Sequence, residues 1–205
     1  MSCRFHSLLQ SIGIKVPPGT PNPLIENLSS DSRSIPQNTL FLGVPGQKVD
    51  GGFFWPQSKS AGALCAVISQ SAFEAFPPHV NDAVVVLPDP VEKWIGELAS
   101  SFWGYPSKQI DLIGVTGTNG KTTITHLIEY LCNSIGRPSA IFGTLVNRWP
   151  MHSEVSIHTT DFADSLQAKL SKVVQAIYVY KKFSESEVFE TIWSLFYNFW
   201  TLSCQ

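Results

Sequence analysis

Charged residues are scarce in this sequence, and neither sign forms a cluster. Of its 205 residues, 14 are Lys or Arg and 16 are Asp or Glu, so the net charge at pH 7 is −2. Proteins that bind nucleic acid usually carry a clustered basic excess, so we expect no nucleic-acid partner. A hydrophobic share of 43% and an aromatic share of 12% exclude a disordered chain and are sufficient for a packed core.

The sequence also lacks the patterns typical of disulfide-rich, zinc-binding and membrane proteins. Its four cysteines, Cys3, Cys65, Cys132 and Cys204, form no CxxC pair, and its five histidines show no HxxxH spacing. We therefore expect neither a disulfide framework nor a dedicated zinc site. No apolar run approaches the ~20 residues of a membrane helix, and residues 1–18 contain no signal-peptide core. We expect a location in the cytoplasm, or in the equivalent compartment of a plastid-type organelle, without a membrane partner.

Apolar runs and helical spacings alternate along the chain, which is typical of an α/β fold. Strands are predicted over residues 24–28, 39–44, 63–69, 83–87, 110–115 and 140–142, and helices over 53–62, 91–103 and 121–135. The break at residues 104–107 predicts a domain boundary. We expect a small α/β domain over residues 1–105, followed over 106–176 by the beginning of a phosphate-loop domain with a parallel sheet.

One segment between a predicted strand and a predicted helix has the pattern of a phosphate-binding loop. It reads GVTGTNGKTT over residues 114–123. Glycines let successive backbone amides converge on an anion, and the start of a helix adds a positive dipole end. Lys121 can reach the β- and γ-phosphates of ATP, and Thr122 offers a hydroxyl to Mg²⁺. The predicted ATP-binding residues are Gly117, Thr118, Asn119, Gly120, Lys121, Thr122 and Thr123. The alternative is an ordinary glycine-rich turn with an exposed lysine.

Four ordered segments extend this pattern over about residues 1–176. They are Asp31-Ser32-Arg33 with the following apolar run, residues 46–51, residues 117–123, and residues 143–149 with His158-Thr159-Thr160. Together they resemble the Mur ligases, the ATP-dependent amino-acid ligases of peptidoglycan synthesis. Within that family the chain is most similar to the UDP-N-acetylmuramoyl-tripeptide synthetase type.

The resemblance implies a role for each segment. The N-terminal domain is expected to bind the uridine diphosphate end of a UDP-N-acetylmuramoyl dipeptide, and Thr159 and Thr160 its sugar-phosphate part. The implied UDP-sugar-binding residues are Ser32, Gln47, Lys48, Val49, Thr159 and Thr160. In this family ATP phosphorylates the substrate carboxylate, and an incoming amino group then displaces the phosphate to form an amide. Lys121 and Mg²⁺ would neutralise the developing charge, so Lys121 is the expected catalytic residue.

The sequence departs from the family at two places. Asp161 stands where the family usually has proline, which puts a carboxylate near the expected phosphate unless it turns away in a helix cap. From Ile177 the match stops, and residues 177–205 form an aromatic-rich tail that lacks the family's metal-binding glutamate. We expect an incomplete and inactive fragment, the product of a frameshift, a misread intron or a degraded gene, with a possible complementing chain.

Other interpretations of these segments stay open. Asp31-Ser32-Arg33 also fits a polar turn, Thr159-Thr160 a cap for a helix starting near Phe162, and residues 147–149 a structural loop. The chain could belong to the related Mur ligase that adds the terminal dipeptide, although residues 118–119 and 147–149 favour the tripeptide synthetase. It could also be a non-catalytic binder of a UDP-sugar or ATP, or a small phosphate-loop kinase.

Overall fold

The computed structural model describes residues 1–156 and 161–183, with only the backbone of residues 178–183. The strands are β1 (Cys3–Arg4), β2 (Leu24–Ile25), β3 (Asn27–Ser29), β4 (Thr39–Leu42), β5 (Cys65–Ile68), β6 (Val84–Val86), β7 (Ile141–Phe142), β8 (Val146–Trp149) and β9 (His152–Val155). The α-helices are α1 (Phe5–Ser11), α2 (Trp55–Ser60), α3 (Gln70–Ala75), α4 (Val91–Phe102), α5 (Lys121–Ser134) and α6 (Ala163–Phe183). These elements confirm the predicted α/β class.

A four-stranded parallel sheet forms the centre of the first half of the chain. Its strand order is β3-β4-β5-β6, and every neighbouring pair is parallel. Strands buried on both faces are mostly apolar at consecutive positions, as are residues 40–42 of β4 and residues 65–68 of β5. Successive side chains alternate between the two faces, so Leu40 and Leu42 contribute to one core cluster and Phe41 to the other.

Helices cover both faces of this sheet. The larger cluster includes buried residues of α1 and α4, such as Leu9 and Leu98. The smaller cluster includes Trp55 of α2 and Ala72 of α3. Sequence reasoning identified the helices near residues 53–62 and 91–103 but missed α1 and α3. Serine is a preferred N-cap residue, so Ser69 was a sequence signal for the start of α3. In the structure its hydroxyl accepts a hydrogen bond from the Ala72 amide at 3.0 Å.

The second half of the chain differs from its predicted topology. The predicted strand over residues 110–115 is wrong: these residues pair with no strand among those described, and Leu112 and Ile113 are exposed. The strand predicted at 140–142 forms as β7 but pairs antiparallel with β8, in a three-stranded sheet ordered β7-β8-β9. An apolar run becomes a strand only where a neighbouring backbone satisfies its amides and carbonyls, and the described residues offer 110–115 no such neighbour.

The helix that follows residues 157–160 packs against the first half of the molecule. α6 contacts α4, the short turn Pro106–Lys108 and β3, and its Leu170 and Val173 are buried. It includes the first residues of the predicted tail and extends to Phe183, while residues 184–205 lie outside the described residues. None of the described helices combines the length and hydropathy needed to span a bilayer.

Candidate functional site

Three loops meet at one edge of the parallel sheet. β3, β4 and β5 end at Ser29, Leu42 and Ile68, and parallel strands place their carboxyl ends on the same side. We call this side the carboxyl edge; it consists of residues 30–34, 43–51 and 69–71. Ligands of open α/β sheets bind at such edges. The predicted positions Ser32 and Gln47–Val49 both lie on loops of the carboxyl edge.

The first loop is a compact polar turn with a fixed charge arrangement. Arg33 Nε and Nη2 donate to the two oxygens of Asp31 at 2.8 and 2.9 Å, and the Arg33 amide donates to Asp31 Oδ1 at 3.0 Å. These hydrogen bonds lower the pKa of Asp31 to about 2. Ser32 lies between them and is buried, with 9% exposure. The polar turn that the sequence allowed as the alternative to a binding segment is therefore present, and it is compatible with ligand binding.

The second loop is a tight hairpin held at its base by Asp50. Pro45 and Asp50 form an isolated antiparallel bridge, and the Gly46 amide donates to the Val49 carbonyl at 3.1 Å. At Gly51 any side chain would collide with the Val44 carbonyl oxygen, so glycine is required there. This geometry leaves the predicted contact residues Gln47, Lys48 and Val49 exposed at the tip.

Asp50 also joins the second loop to the third. Its Oδ1 accepts from the Gly52 amide at 2.8 Å, and its Oδ2 accepts from the hydroxyl of Ser71 at 2.8 Å and from that of Ser69. Sequence reasoning missed this group of residues. The available signal was the Asp50-Gly51 pair, since an Asp before a glycine turn commonly bonds backbone amides.

The phosphate loop has the backbone geometry expected from its glycines. Gly117 and Gly120 have φ of +141° and +79°, and α5 begins at Lys121 with Gly120 as its N-cap. Lys121 Nζ donates to the carbonyl oxygens of Gly117 and, at 3.3 Å, Thr118, so the ammonium group lies within the curve of the loop. Thr118, Asn119 and Thr123 are exposed. An open backbone concavity with a lysine inside it can receive an anion.

A bound magnesium ion would find one protein ligand in this loop. Thr122 is partly exposed in the first turn of α5, where its hydroxyl can face a phosphate group. No cluster of three or more His, Cys, Asp or Glu suited to a metal occurs in the part of the chain that the structure describes. Mg²⁺ in nucleotide sites is held largely by phosphates and water, so this donor set fits an ion carried by a nucleotide.

The predicted pair Thr159 and Thr160 lies outside the described residues, but the residue after it is described. Asp161 Oδ2 accepts from Lys169 Nζ at 2.9 Å, and Lys169 Nζ also lies 3.1 Å from Glu154 Oε1. Burial alone would lower the pKa of Lys169, but the hydrogen bonds to Asp161 and Glu154 outweigh it and raise the pKa. The carboxylate of Asp161 thus points to a cation on α6, which neutralises the charge that the sequence placed near the expected phosphate.

The first turn of α6 contacts the first loop of the carboxyl edge. Asp164 accepts from the Ser30 amide at 2.9 Å and from the Ser30 hydroxyl at 3.1 and 3.2 Å. By contrast, no hydrogen bond among the described residues joins the phosphate loop to the carboxyl edge. The structure therefore brings Ser32, Gln47–Val49 and the start of α6 to the carboxyl edge, whereas the phosphate loop precedes α5.

Residues 147–149 form part of β8. The sequence had allowed two interpretations of them, a binding segment and a structural loop. Arg148 Nε donates to Glu129 Oε1 of α5 at 2.8 Å, and Nη2 donates to Oε2 of the same carboxylate. Trp149 is buried against Phe142 and His152. These contacts attach the phosphate-loop helix to the small antiparallel sheet, which is a structural role.

Two family comparisons match most of the chain. Residues 24–103 match the family described as Mur ligase family, catalytic domain. Residues 115–181 match the Mur ligase middle domain. The second match contains the phosphate loop and continues a few residues past position 176, where the sequence alone placed the end of the resemblance.

Similar proteins include ligases of Prochlorococcus and Synechococcus. A UDP-N-acetylmuramoyl-L-alanyl-D-glutamate–2,6-diaminopimelate ligase of Prochlorococcus marinus (strain MIT 9313) is 56% identical over 176 residues. The ligase of the same name from Synechococcus sp. (strain WH7803) is 53% identical over 175 residues. The alignments cover 86% and 85% of this chain but 35% of each relative, so the chain spans about a third of their length.

A solved structure has a similar fold. A UDP-N-acetylmuramoyl-L-alanyl-D-glutamate–2,6-diaminopimelate ligase superposes with a TM-score of 0.56 at 24% identity, over 85% of this chain and 34% of that one. At this identity the superposition supports the fold alone.

Proposed function

The chain belongs to the Mur ligase family, and from this premise we propose that it supplies the UDP-sugar-binding and ATP-binding parts of a ligase that extends UDP-N-acetylmuramoyl-L-Ala-D-Glu. The observation that carries the proposal is the phosphate loop, with Lys121 inside its curve, in a chain whose other half presents the carboxyl edge of a parallel sheet. The names of the relatives favour diaminopimelate as the added amino acid over the terminal dipeptide. Family membership removes the small kinase from consideration.

In this proposal the carboxyl edge holds the uridine diphosphate. The turn that contains the buried Ser32 and the exposed tip at Gln47–Val49 offer hydroxyl, amide and ammonium donors to a diphosphate. Thr159 and Thr160 complete the site for the sugar-phosphate part. The pairing of Asp161 with Lys169 supports this assignment, because it removes the repulsion that an unpaired carboxylate would exert on the ligand.

The phosphate loop holds ATP through its backbone amides and Lys121, with Thr122 as a ligand of the magnesium ion that ATP carries. ATP supplies the phosphate that activates the substrate carboxylate for attack by an amine. Lys121 and the amides of residues 117–123 bind and orient the phosphates and stabilise the charge that develops on them. This use of ATP is the basis for proposing a cytoplasmic location.

We also propose that the reaction needs further Mur ligase chain, in the same polypeptide or as a complementing chain. Apolar side chains on residues 110–115 and on one face of α5 are exposed; they are Leu112, Ile113, Ile124, Leu127 and Leu131. A helix with an exposed apolar stripe normally packs against another element. The share of the relatives' length that this chain spans, about a third, supports the same conclusion.

Equilibrium binding tests the proposal. Residues 1–205 should bind MgATP and UDP-N-acetylmuramoyl-L-Ala-D-Glu, and Lys121→Ala should weaken MgATP binding about 10- to 100-fold, because a charged hydrogen-bond donor is lost. Lys93→Ala, an exposed lysine on α4, is the matched control and should leave both affinities unchanged. Equal MgATP affinity in Lys121→Ala and the unmodified chain would contradict the assignment.

A turnover assay distinguishes this chain from the complete ligase. We expect no amide product from residues 1–205 alone, and product when a chain carrying the remaining part of the Prochlorococcus relative is added. Amide product from the unmixed chain above the Lys121→Ala background would show that no further chain is needed.

A further inference from the structure

We propose that Asp164 is a positioning residue for the nucleotide-sugar site: it holds the Ser30 turn so that the neighbouring Ser32 is presented to a uridine diphosphate group. The inference rests on the proposed function, and it assigns to α6 a role in UDP binding that the sequence pattern did not indicate. It concerns a contact between residues that are 134 positions apart.

Asp164 accepts hydrogen bonds from both donors of Ser30, its backbone amide and its hydroxyl. Its amide donates to Oδ2 at 2.9 Å, and its hydroxyl is shared between Oδ1 and Oδ2 at 3.2 and 3.1 Å. Hydrogen bonds to a carboxylate are stronger than neutral ones. One carboxylate thus binds both the backbone and the side chain of Ser30, the residue that follows β3 and begins the turn.

The other hydrogen bonds within this turn are local. Ser29 and Asp31 exchange hydrogen bonds at 3.2 Å, Asp31 binds Arg33, and the Ser34 amide donates to the Asp31 carbonyl at 3.4 Å. Such bonds fix the shape of the turn but not its orientation relative to the sheet. Within the described residues, Asp164 supplies the hydrogen bonds that connect the turn to a separate element.

α6 is a rigid support for this contact. Leu170 and Val173 are buried, and the helix packs along α4 and β3, so its first turn has a defined place beside the carboxyl edge. A carboxylate in the first turn of a helix is also favoured by the helix dipole. Lys169 of the same helix also binds Asp161, which lies just before the helix begins.

The geometry implies a cost when the contact is lost. Without Asp164, the turn keeps its internal bonds but can pivot about the end of β3, and the position of Ser32 is then shared among several orientations. A ligand that needs one of these orientations binds more weakly, in proportion to its population. ATP binding, at the phosphate loop, does not depend on this turn.

The test uses residues 1–205 and UDP as the probe, with calorimetry well below the unfolding temperature. Asp164→Asn keeps the size of the side chain but loses its charge and one acceptor, so we expect UDP binding to weaken about tenfold. Ser30→Ala removes only the hydroxyl and should weaken it about threefold. The double variant should bind no more weakly than Asp164→Asn, because both substitutions break one contact.

Two controls make the result specific. Glu92→Gln removes an exposed carboxylate from the first turn of α4, so it reproduces the change of helix-dipole interaction and should leave UDP binding unchanged. MgATP affinity, measured on every variant, should be the same throughout. A parallel loss of UDP and MgATP affinity in Asp164→Asn would show a general structural role and overturn the inference.

The remaining outcomes separate this inference from the proposed function. If the unmodified chain binds UDP and Asp164→Asn binds it equally well, positioning by Asp164 is wrong and the proposed function stands. If the unmodified chain does not bind UDP, the assignment of the carboxyl edge fails, and the inference fails with it.

Discussion

The two halves of the molecule match two domains of one family, yet they bury very different amounts of apolar surface. Both core clusters are built almost wholly from residues before position 106 and enclose the parallel sheet on its two faces. Among the described residues after that position, the buried apolar side chains are Ile141, Trp149, Leu170 and Val173. The last two belong to α6, which packs against the first half.

The comparison shows that similar sequence patterns can have different outcomes. Residues 39–44 and 110–115 are both short apolar runs, but only the first has parallel neighbours and becomes a strand. The second leaves Leu112 and Ile113 in solvent. A strand depends on its partners, so the first half forms a parallel sheet, whereas residues 110–115 have no strand partner among the described residues.

A matched pair of leucine substitutions gives the largest expected difference between the halves. Leu42 in β4 is fully buried, whereas Leu112 is 58% exposed. Leu42→Ala removes packed methyl groups and leaves a cavity, so it should lower the free energy of unfolding by about 2–5 kcal/mol. Leu112→Ala should change it by less than about 0.5 kcal/mol. Chemical denaturation followed by circular dichroism measures both.

Two outcomes of this experiment would contradict the difference between the two halves. A loss of about 2 kcal/mol or more in Leu112→Ala would mean that residues 110–115 are packed in solution. The two halves would then be equally well built. A variant with an unchanged midpoint at Leu42 would contradict the assignment of the parallel sheet as the stable core.

An ion pair, not an apolar core, is expected to stabilise the second half. Glu129 is 8% exposed and accepts two hydrogen bonds from Arg148, with His126 Nδ1 at 3.7 Å. Breaking a buried pair costs 3–5 kcal/mol, but Arg148 is half-exposed, so Glu129→Gln should cost about 2 kcal/mol. Hydrogen exchange should accelerate in α5 and β8 and stay unchanged in β3–β6.

The control for this prediction is Glu97→Gln, which removes an exposed carboxylate from α4. It should leave hydrogen exchange unchanged in both halves. Faster exchange in the parallel sheet of the Glu129→Gln variant would show that the halves unfold together. The two halves would then differ in their packing but not in their unfolding.

Much of the fold was predictable from the sequence because its signals are local. The strands over residues 39–44 and 63–69 and the helix over 121–135 follow from apolar runs, helical spacing and the Gly-Arg-Pro stop at residue 136. The phosphate loop followed from Gly120-Lys121 and the two threonines after it, placed between a predicted strand and a predicted helix. Its backbone angles at Gly117 and Gly120 agree with that pattern.

The contacts that were missed join positions far apart in the chain. Asp50 with Ser69 and Ser71, and Asp164 with Ser30, depend on which loops the parallel topology places side by side. No spacing rule encodes such pairs. The wrong strand prediction at residues 110–115 also arises from long-range pairing. The strand propensity of a segment does not show whether a second strand is present to pair with it.

The smallest expected effect on stability is at the carboxyl edge of the first half, where polar pairs are expected to contribute little to the free energy of unfolding. Asp31 has its pKa lowered from 3.8 to about 2 by the side-chain hydrogen bonds of Arg33, so this pair favours the folded state above pH ~4 and loses that effect as the pH falls towards 2. Carboxyl-carbon NMR should therefore show Asp31 titrating well below its ordinary value.

The effect on stability should nevertheless be small. The Asp31 side chain is 46% exposed, and Arg33 is only two residues away, so the contact is screened by water and partly persists in the unfolded chain. Asp31→Asn should change the free energy of unfolding at pH 7 by less than about 0.5 kcal/mol, much less than Leu42→Ala. A loss above about 1 kcal/mol would mean that the turn at Ser32 contributes to the stability of the sheet itself, and the carboxyl edge would then be part of the core that supports it.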